Sequence, residues 1–591
     1  MNINTTNAKH ELTNDRIVVG MATCGLSAGA KETFDAIESA KLDIPLMKSG
    51  CIGMCYNEPV VVVVQNGKTT YYGNVTKDNV KGLIESVRKE KRCEELFVCE
   101  NLEDLDFYKK QVRLTLDNCG IIDPFKIEHY MAREGYSGLK KAITLTPKEV
   151  ISNVDSAGIR GRGGAGFPTG KKWTFIANQQ GKKYIICNGD EGDPGAFMNR
   201  TLMESDPFRI LEGLAIGAYA TGADEGIIYT RAEYPLAITT LQQAITTAYE
   251  NNLLGKNILG KEGFNFDVSI REGAGAFVCG EETALIESIE GRRGTPKPRP
   301  PFPAQKGLYG KPTIVNNVGT WGDVSTIFKI GVETYSKYGT ATTKGTKTLC
   351  LSGDIKRTGI IEVPFGITLK EIIYDIGGGL PDGTTFKALF PGGPAGGCIV
   401  EKDLGTPLDY ETMSNLKTIM GSGSFIVTNN KSCMVSLAKF FITFTQSESC
   451  GKCTPCREGT KRLLELLTEI SRGNGTIQDI TRAQELAEFI NRTSLCGLGQ
   501  FAPNPVLSTI RHFRKEYETH ITDKKCPAHV CENLLTFTIT QSCTGCGNCK
   551  KHCPVNAITG ELKNLHIIDQ DKCIRCGKCY DVCAFKAITR I

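Results

Sequence analysis

Apolar and polar positions change their period several times along the chain, and each change predicts a different architecture. Near the start, the runs RIVVGMA, KETFDAIESAKL, PVVVVVQNG, KTTYYGNV and TKDNVKGLIESVRKE predict strand, helix, two strands and helix in about 90 residues. Residues 93–120, with Cys93, Cys99 and Cys119, read as a connector. From about 121 to 340, apolar strands such as YIICN and EGIIYT alternate with amphipathic helices such as NRTLMESDPFRILEGLAIGAYATG, the pattern of a layered α/β sheet. Between 346 and 430 the short β-like runs TKTLCLSG, GIIEVPFG and FKALFPGG surround one helical run, TLKEIIYDIGGG. Beyond them SCMVSLAKFFITFTQ, REGTKRLLELLTEISRG and TRAQELAEFINRTS carry helical periodicity and predict a bundle. The final 49 residues form a pseudo-repeat.

Length and composition narrow this picture. A chain of 591 residues exceeds what one core serves, so three to five domains are expected. Charged residues make up 23% and the net charge is only +5, an ordinary surface that argues against nucleic-acid binding. No run approaches the roughly 20 apolar residues of a membrane helix, and MNINTTNAKHELTND is too polar for a secretory signal. A cytoplasmic, non-membrane protein is therefore expected. Of 25 cysteines, 14 lie between Cys450 and Ile591, mostly at spacings of three residues, which in a long chain points to metals rather than disulfides.

The last segment repeats C-x2-C-x2-C-x3-C, as Cys543, Cys546, Cys549, Cys553 and again as Cys573, Cys576, Cys579, Cys583. Three close thiolates wrap one corner of an iron–sulfur cube and the fourth ligand crosses over. One [4Fe–4S] cluster is thus expected on Cys543, Cys546, Cys549 and Cys583, the other on Cys573, Cys576, Cys579 and Cys553, with zinc the weaker alternative. Cys450, Cys453 and Cys456 open a helix, and Cys496 in SLCGLGQ can return as the fourth ligand of a third cube. Near the N-terminus only Cys24, Cys51 and Cys55 are present, and the position five before Cys24, where a thioredoxin-like [2Fe–2S] domain would carry its first ligand, is Val19. Either a non-cysteine ligand or a partner completes that site, or the domain is a docking scaffold without iron. Cys526 and Cys531, with His529 between them and His512 and His520 before them, fit tetrahedral zinc built from two thiolates and one or two imidazoles. The alternative is a linker with two free thiols. Cys187, Cys279, Cys350, Cys398 and Cys433 stand alone in apolar or glycine-rich contexts and read as small buried hydrophobes.

Between Gly158 and Trp173 the chain crowds Gly158, Gly161, Gly163, Gly164, Gly166 and Gly170 with Arg160, Arg162, Lys171 and Lys172. Backbone amides bared by glycine converge readily on an anion, so this loop is expected to cradle a phosphate. Two further runs accompany it, CNGDEGDPG from Cys187 and GAGAFVCGEET from Gly273.

These runs, with PPFPA, KPT, VNNV and SCGKCTPCREG, resemble the flavin- and NADH-binding subunit of respiratory complex I over about 160–500. With the added N-terminal and C-terminal parts, the chain is similar to a narrower group, the diaphorase (beta) subunits of trimeric electron-bifurcating [FeFe]-hydrogenases of anaerobic bacteria. The resemblance implies a multidomain α/β protein. Its parts would be a thioredoxin-like domain (1–92), a linker (93–120), a Rossmann-like FMN and NAD domain (121–345) and a β-grasp (SLBB) domain (346–430). A helical [4Fe–4S] bundle (431–522), a zinc hinge (523–541) and a bacterial two-cluster ferredoxin domain (542–591) would follow. It further implies that Gly161, Arg162, Gly163, Gly164 and Lys172 hold the FMN phosphate and ribityl chain, and that Asn188, Asp190, Asn316 and Asn317 hydrogen-bond the flavin. Glu191, the expected catalytic residue, would shape the NAD side with Asp193, Phe277, Gly280, Glu281 and Glu282, while Phe167, Phe175 and Phe302 would stack on the nucleotide. Asp193 stands where the complex I pattern has glutamate and Phe277 where it has tyrosine, which opens the choice between NAD(H) and NADP(H). The implied activity is hydride exchange between NAD(H) and FMN, with single electrons passed through three [4Fe–4S] clusters. Partners would be an [FeFe]-hydrogenase catalytic subunit, a small thioredoxin-like [2Fe–2S] subunit and ferredoxin, in a hetero-oligomer. Alternatives are the diaphorase of a formate dehydrogenase or NADP-linked hydrogenase, or a noncatalytic iron–sulfur wire.

Overall fold

The computed structural model describes residues 5–590, a multidomain α/β chain divided into two compact units. The first comprises residues 1–381, 389–393 and 401–427; the second comprises 382–388, 394–400 and 428–591. No helix among the described residues is long and apolar enough to cross a membrane.

The first unit opens with five strands, β1 (Arg16–Gly20), β2 (Leu46–Ser49), β3 (Val61–Gln65), β4 (Lys68–Tyr72) and β5 (Phe97–Cys99), in the order β2-β1-β3-β4-β5. β1 runs parallel to β2 and antiparallel to β3. The valine run becomes β3, whose residues 61–64 are all buried; Val61 and Val63 pack under helices Ala30–Ser39 and Val80–Arg88. β2 and β5 are additions to the elements that periodicity predicts; both are too short to show a period.

The large core lies around a second sheet, wholly parallel: β6 (Tyr184–Gly189), β7 (Glu225–Arg231), β8 (Asp267–Gly273) and β9 (Thr313–Asn317), in the order β8-β7-β6-β9. The chain steps outward from β6 to β7 to β8 and then returns to the other side of β6. This makes the gap between β6 and β9 a topological switch point, the place where loops part and a ligand can enter. Helix Pro207–Thr221 is buried on nearly every side, which the apolar composition of FRILEGLAIGAYAT allows. Gly213 lets it approach helix Val318–Ile330 closely: a Cβ there would stand 2.0 Å from the Trp321 carbonyl oxygen. The two tryptophans of the chain, Trp173 and Trp321, are fully buried with ring centroids 5.6 Å apart.

A third sheet pairs β10 (Thr346–Gly353) antiparallel to β11 (Gly359–Pro364) and parallel to residues 424–427. The predicted helix TLKEIIYDIGGG is a π-helical turn, Glu371–Ile376. The connector is tied to this sheet by Glu362 of β11, fully buried, which accepts from the amides of Leu114 (3.0 Å), Thr115 (3.0 Å) and Leu116 (2.9 Å) and from Thr346 Oγ1 (2.5 Å).

In the second unit, helices Met434–Ser447, Thr454–Ser471, Ile477–Thr493 and Asn504–Thr522 form the bundle. Its core takes Leu463, Leu467 and Ile470 from one helix and Ile480, Ala483, Ala487 and Ile490 from the next, both at helical spacing. The C-terminal pseudo-repeat folds as two copies of a short helix, Asn548–Lys551 and Lys578–Asp581, each entered through a left-handed glycine, Gly547 (φ 76°) and Gly577 (φ 75°). Strands Phe537–Ile539 and Ile588–Arg590 pair antiparallel.

Glu362→Ala would leave three buried amides without an acceptor, a loss of about 3 kcal/mol or more. The expected outcome is a lower first thermal transition with little change for Glu362→Gln; equal midpoints for wild type and Glu362→Ala would overturn this role.

Candidate functional site

The carboxyl ends of β6 and β9 bring the polar runs together. Parallel pairing sets Cys187 opposite Asn316 and Asn188 opposite Asn317. Asn188 Nδ2 donates to the Gly280 carbonyl (2.9 Å) and its Oδ1 accepts from the Asp190 amide (3.1 Å), so the runs from Cys187 and from Gly273 meet at one asparagine. Asn317 caps helix Val318–Ile330 through the Gly319 amide (2.9 Å), and Asn316 sits with its amide oxygen 3.1 Å from Trp173 Nε1.

Glycine lets three loops close on this point. Gly164 (φ 115°) approaches Gly421, where a Cβ would lie 3.0 Å from the Gly421 backbone, and Gly421 (φ 60°) approaches Gly392 closely enough that a Cβ would stand 2.5 Å from its Cα. Bare backbone at such a convergence suits an anion cradle. Phe167, Phe175 and Phe302 are 48%, 54% and 51% exposed, large apolar faces of the kind that stack on a flat ring. The residues present therefore fit a phosphorylated flavin beside a nucleotide.

The cations divide their work. Lys172 Nζ donates to Glu282 (3.1 Å) and the Val315 carbonyl (2.7 Å), and Arg299 reaches the other Glu282 oxygen (3.0 Å). Arg162 is turned inward: its guanidinium donates to Asp323 (2.8 Å), Tyr335 Oη (2.7 Å) and two carbonyls, so the side chain is committed to the core and only its backbone faces the loop. Lys347, unnoticed in the sequence because a strand lysine reads as solvent-facing, is 1% exposed. It clamps the glycine loop, donating to the carbonyls of Arg162 (2.6 Å) and Ser422 (2.6 Å). Burial, helped by Arg162, pushes it down to about 7.

The acids are held just as firmly. Glu191, 5% exposed, accepts from the amides of Asn199 (3.0 Å) and Arg200 (3.1 Å) and so anchors helix Met198–Ser205; burial pushes it up to about 7. Asp193 Oδ2 accepts from Ser422 Oγ (2.9 Å), while Oδ1 is buried without a partner. Burial lifts Asp193 to about 6. Glu281 is spent as the cap of helix Glu282–Ile289. Phe277 packs where a Cβ on Gly192 would stand 2.6 Å from its ring.

The cysteine groups differ in kind. Among the described residues, the group of metal-type ligands with every atom within 4.8 Å of the others is Cys433, His520, Cys526 and Cys531, all buried. His520 Nε2 lies 3.3 Å from both Cys433 Sγ and Cys531 Sγ, and its Nδ1 faces the Glu516 carbonyl (2.7 Å), which orients the ring. Cys433, which reads in sequence as an isolated hydrophobe, is thus a member of this cage. The misreading has a plain cause: 93 residues separate it from Cys526, and only the packing of the bundle joins them. His512 and His529 are not members.

The other quartets carry the C-x2-C-x2-C runs. Cys453 and Cys496 each stand at the N-terminal boundary of a helix, and Cys456, in the first turn after Cys453, is buried, which pushes its thiol up to about 11. In the C-terminal repeat, one hollow is lined by Cys543, Cys546, Cys549 and Cys583 and a second by Cys553, Cys573, Cys576 and Cys579. Amides of Gly545 and Arg575 donate to the first cysteine of each copy and those of Ala557 and Ala587 to the last, the N–H···S pattern that tunes a cluster. At the N-terminus the Cys55 thiol contacts both Cys24 and Cys51.

Known proteins carry the same parts. Residues 154–326 match the Nuo51 FMN-binding domain, 436–520 the NADH-ubiquinone oxidoreductase-F iron-sulfur binding region, and 537–584 a 4Fe-4S dicluster domain. The chain is 55% identical over 460 residues to the NADP-reducing hydrogenase protein HndC of Solidesulfovibrio fructosivorans, spanning 78% of this chain and 94% of that one. It is 43% identical over 416 residues to an F-type NADH-quinone oxidoreductase protein of Rhizobium meliloti (strain 1021), spanning 70% and 99%. A solved NAD+-reducing [NiFe]-hydrogenase in the H2-reduced state is similar with a TM-score of 0.62 and 30% identity, covering 86% of this chain and 84% of that one.

Because burial raises Glu191 from 4.5 to about 7, the folded chain binds its proton more tightly than the unfolded one. Its contribution is present in full below pH 4.5 and is lost as pH rises through 7, by at most about 3 kcal/mol. Glu191→Gln should flatten the fall of the melting temperature across that window; an unchanged slope would show that Glu191 does not titrate there.

Proposed function

Since the chain belongs to the family of the F-type NADH-quinone oxidoreductase proteins and the hydrogenase protein HndC, we propose that it is the flavin- and NAD(H)-binding component of a cytoplasmic, electron-bifurcating hydrogenase. The observation that carries this reading is the closure of three glycine loops on the carboxyl ends of β6 and β9, beside the acid-bearing loop that leaves β6. When bound, FMN takes two electrons with a hydride and releases them singly, as one-electron iron–sulfur centres require. Backbone amides of Gly161, Gly163 and Gly164, with the charge of Lys172, would hold its phosphate. Asn188, Asp190, Asn316 and Asn317 would orient the ring, and Phe167, Phe175 and Phe302 would stack on the nucleotide. Glu191 keeps Arg200 and the start of its helix in register, and Lys347 keeps the glycine loop closed; both are positioning residues.

The three cysteine quartets carry the C-x2-C-x2-C spacing that suits [4Fe–4S] cubes, whereas the Cys433, His520, Cys526, Cys531 cage has the compactness of tetrahedral zinc. Cys546 and Cys576 are exposed, which favours exchange with an external carrier such as ferredoxin. The other partners of this reading are an [FeFe]-hydrogenase catalytic subunit and a small [2Fe–2S] subunit. A second reading, NADP(H) in place of NAD(H), is favoured by the name of the HndC relative.

Anaerobic purification tests the reading. About one FMN per chain and reduction of a dye by NADH are expected, and NADPH as the better donor would select the second reading. Material colourless near roughly 450 nm and inert toward both nucleotides would overturn it. Cys433→Ser should lower zinc from about one per chain to a small fraction, with FMN retained; full zinc in this variant would remove Cys433 from the cage.

A further inference from the structure

The N-terminal cysteine group has three thiols where a two-iron centre takes four ligands. Cys24 follows β1 in the short helix Thr23–Ser27; Cys51 and Cys55 lie in the loop after β2. The position that cysteine spacing assigns to the missing ligand, Val19, is fully buried and packs with Ile17, Val61 and Val63 in the sheet core. It faces away from any metal chemistry.

A carboxylate lies beside the next residue, Gly20, and beside Gly25. The helical turn Cys55–Asn57 carries the chain from Cys55 to Glu58, which is only 9% exposed. A Cβ on Gly20 would lie 3.7 Å from Glu58 Oε2 and 3.9 Å from Oε1, and a Cβ on Gly25, the neighbour of Cys24, would lie 3.1 Å from Oε2. The carboxylate therefore presses against the backbone that presents Cys24, in space that two glycines keep open. Its hydrogen bond is with the Val60 amide (3.0 Å, to Oε2). The neighbouring cation, Arg200, is directed at Cys24 Sγ (3.6 Å). A buried carboxylate is costly unless a proton, a cation or a metal neutralises it, and three thiols one ligand short of a two-iron set stand in the adjoining loops.

We infer that Cys24, Cys51, Cys55 and Glu58 together hold a [2Fe–2S] centre with a carboxylate as its fourth ligand. Ferric iron accepts oxygen as well as sulfur donors, and an ionised carboxylate carries the same charge as the thiolate it replaces, so the charge of the centre is preserved. Arg200 extends this arrangement toward the flavin domain. Its amide donates to Glu191 while its guanidinium faces Cys24, and Glu204 on the same helix accepts from the Thr23 amide (2.9 Å). The inference rests on iron being held at the N-terminus and is independent of the flavin.

The test is electron paramagnetic resonance and iron analysis of the full-length protein, prepared anaerobically and reduced with dithionite. Wild type should carry about 14 iron atoms, two beyond three cubes, and show a slowly relaxing signal that persists on warming after the cube signals have broadened away. Glu58→Gln should lose about two iron atoms and that signal. Glu58→Cys should keep the iron, shift the g values and strengthen the visible sulfur-to-iron absorption. FMN content reports folding in each variant, and should Glu58→Gln fail to fold, Glu58→Cys decides alone. About 12 iron atoms in wild type with no such signal, or g values in Glu58→Cys identical to wild type, would overturn the assignment. Dye reduction by NADH reads the flavin separately, so its failure is distinguishable from failure of this site.

Discussion

The parallel pairing of β6 with β9 is the constraint on which the rest of the flavin-domain site depends. A strand that is hydrogen-bonded on both sides by parallel neighbours must send its outgoing loop away from the sheet at its carboxyl end. With Asn188 opposite Asn317, the loops that carry Asp190, Glu191 and Asp193 leave beside the start of helix Val318–Ile330. The glycine loop from Gly161 to Gly166 then closes over a point the sheet has already left open.

Buried charge holds that closure in place. Arg162, Asp323, Tyr335 and Lys347 form one network under the glycine loop, and each polar group in it is directed at a partner. A loop made of glycine has no side chains of its own to pack and loses much entropy on ordering. Its conformation must be imposed from below, which is what the inward turn of Arg162 and the clamp of Lys347 achieve. Glu191 performs the same service for helix Met198–Ser205, and through Arg200 that helix reaches the N-terminal thiols.

The cysteines are sorted by spacing rather than by number. One ion with four ligands pulls their atoms into contact, whereas a cube places its own iron and sulfide between them. The cage around His520 has the first kind of spacing, whereas the quartets around Cys456 and in the C-terminal repeat are distinguished by their C-x2-C-x2-C runs. Compactness also explains why Cys526 and Cys531 belong to the core of the bundle, packed with Leu467, Ile470 and Leu534, although in sequence they follow its last helix.

Local pattern was enough for a large part of this protein. The strand and helix runs, the two C-x2-C-x2-C-x3-C repeats and the glycine-rich loop are all written in neighbouring residues, because period, turn chemistry and cluster spacing act over a few positions. Tertiary structure alone decided what depends on distant residues meeting. It placed Cys433 beside His520, turned Arg162 into the core, buried Lys347 beneath the loop and set Glu58 against Gly20 and Gly25. Each of these side chains looks ordinary in its own stretch of sequence. Its role comes from neighbours supplied by other elements, and those neighbours are fixed by packing and strand order, which no local pattern encodes.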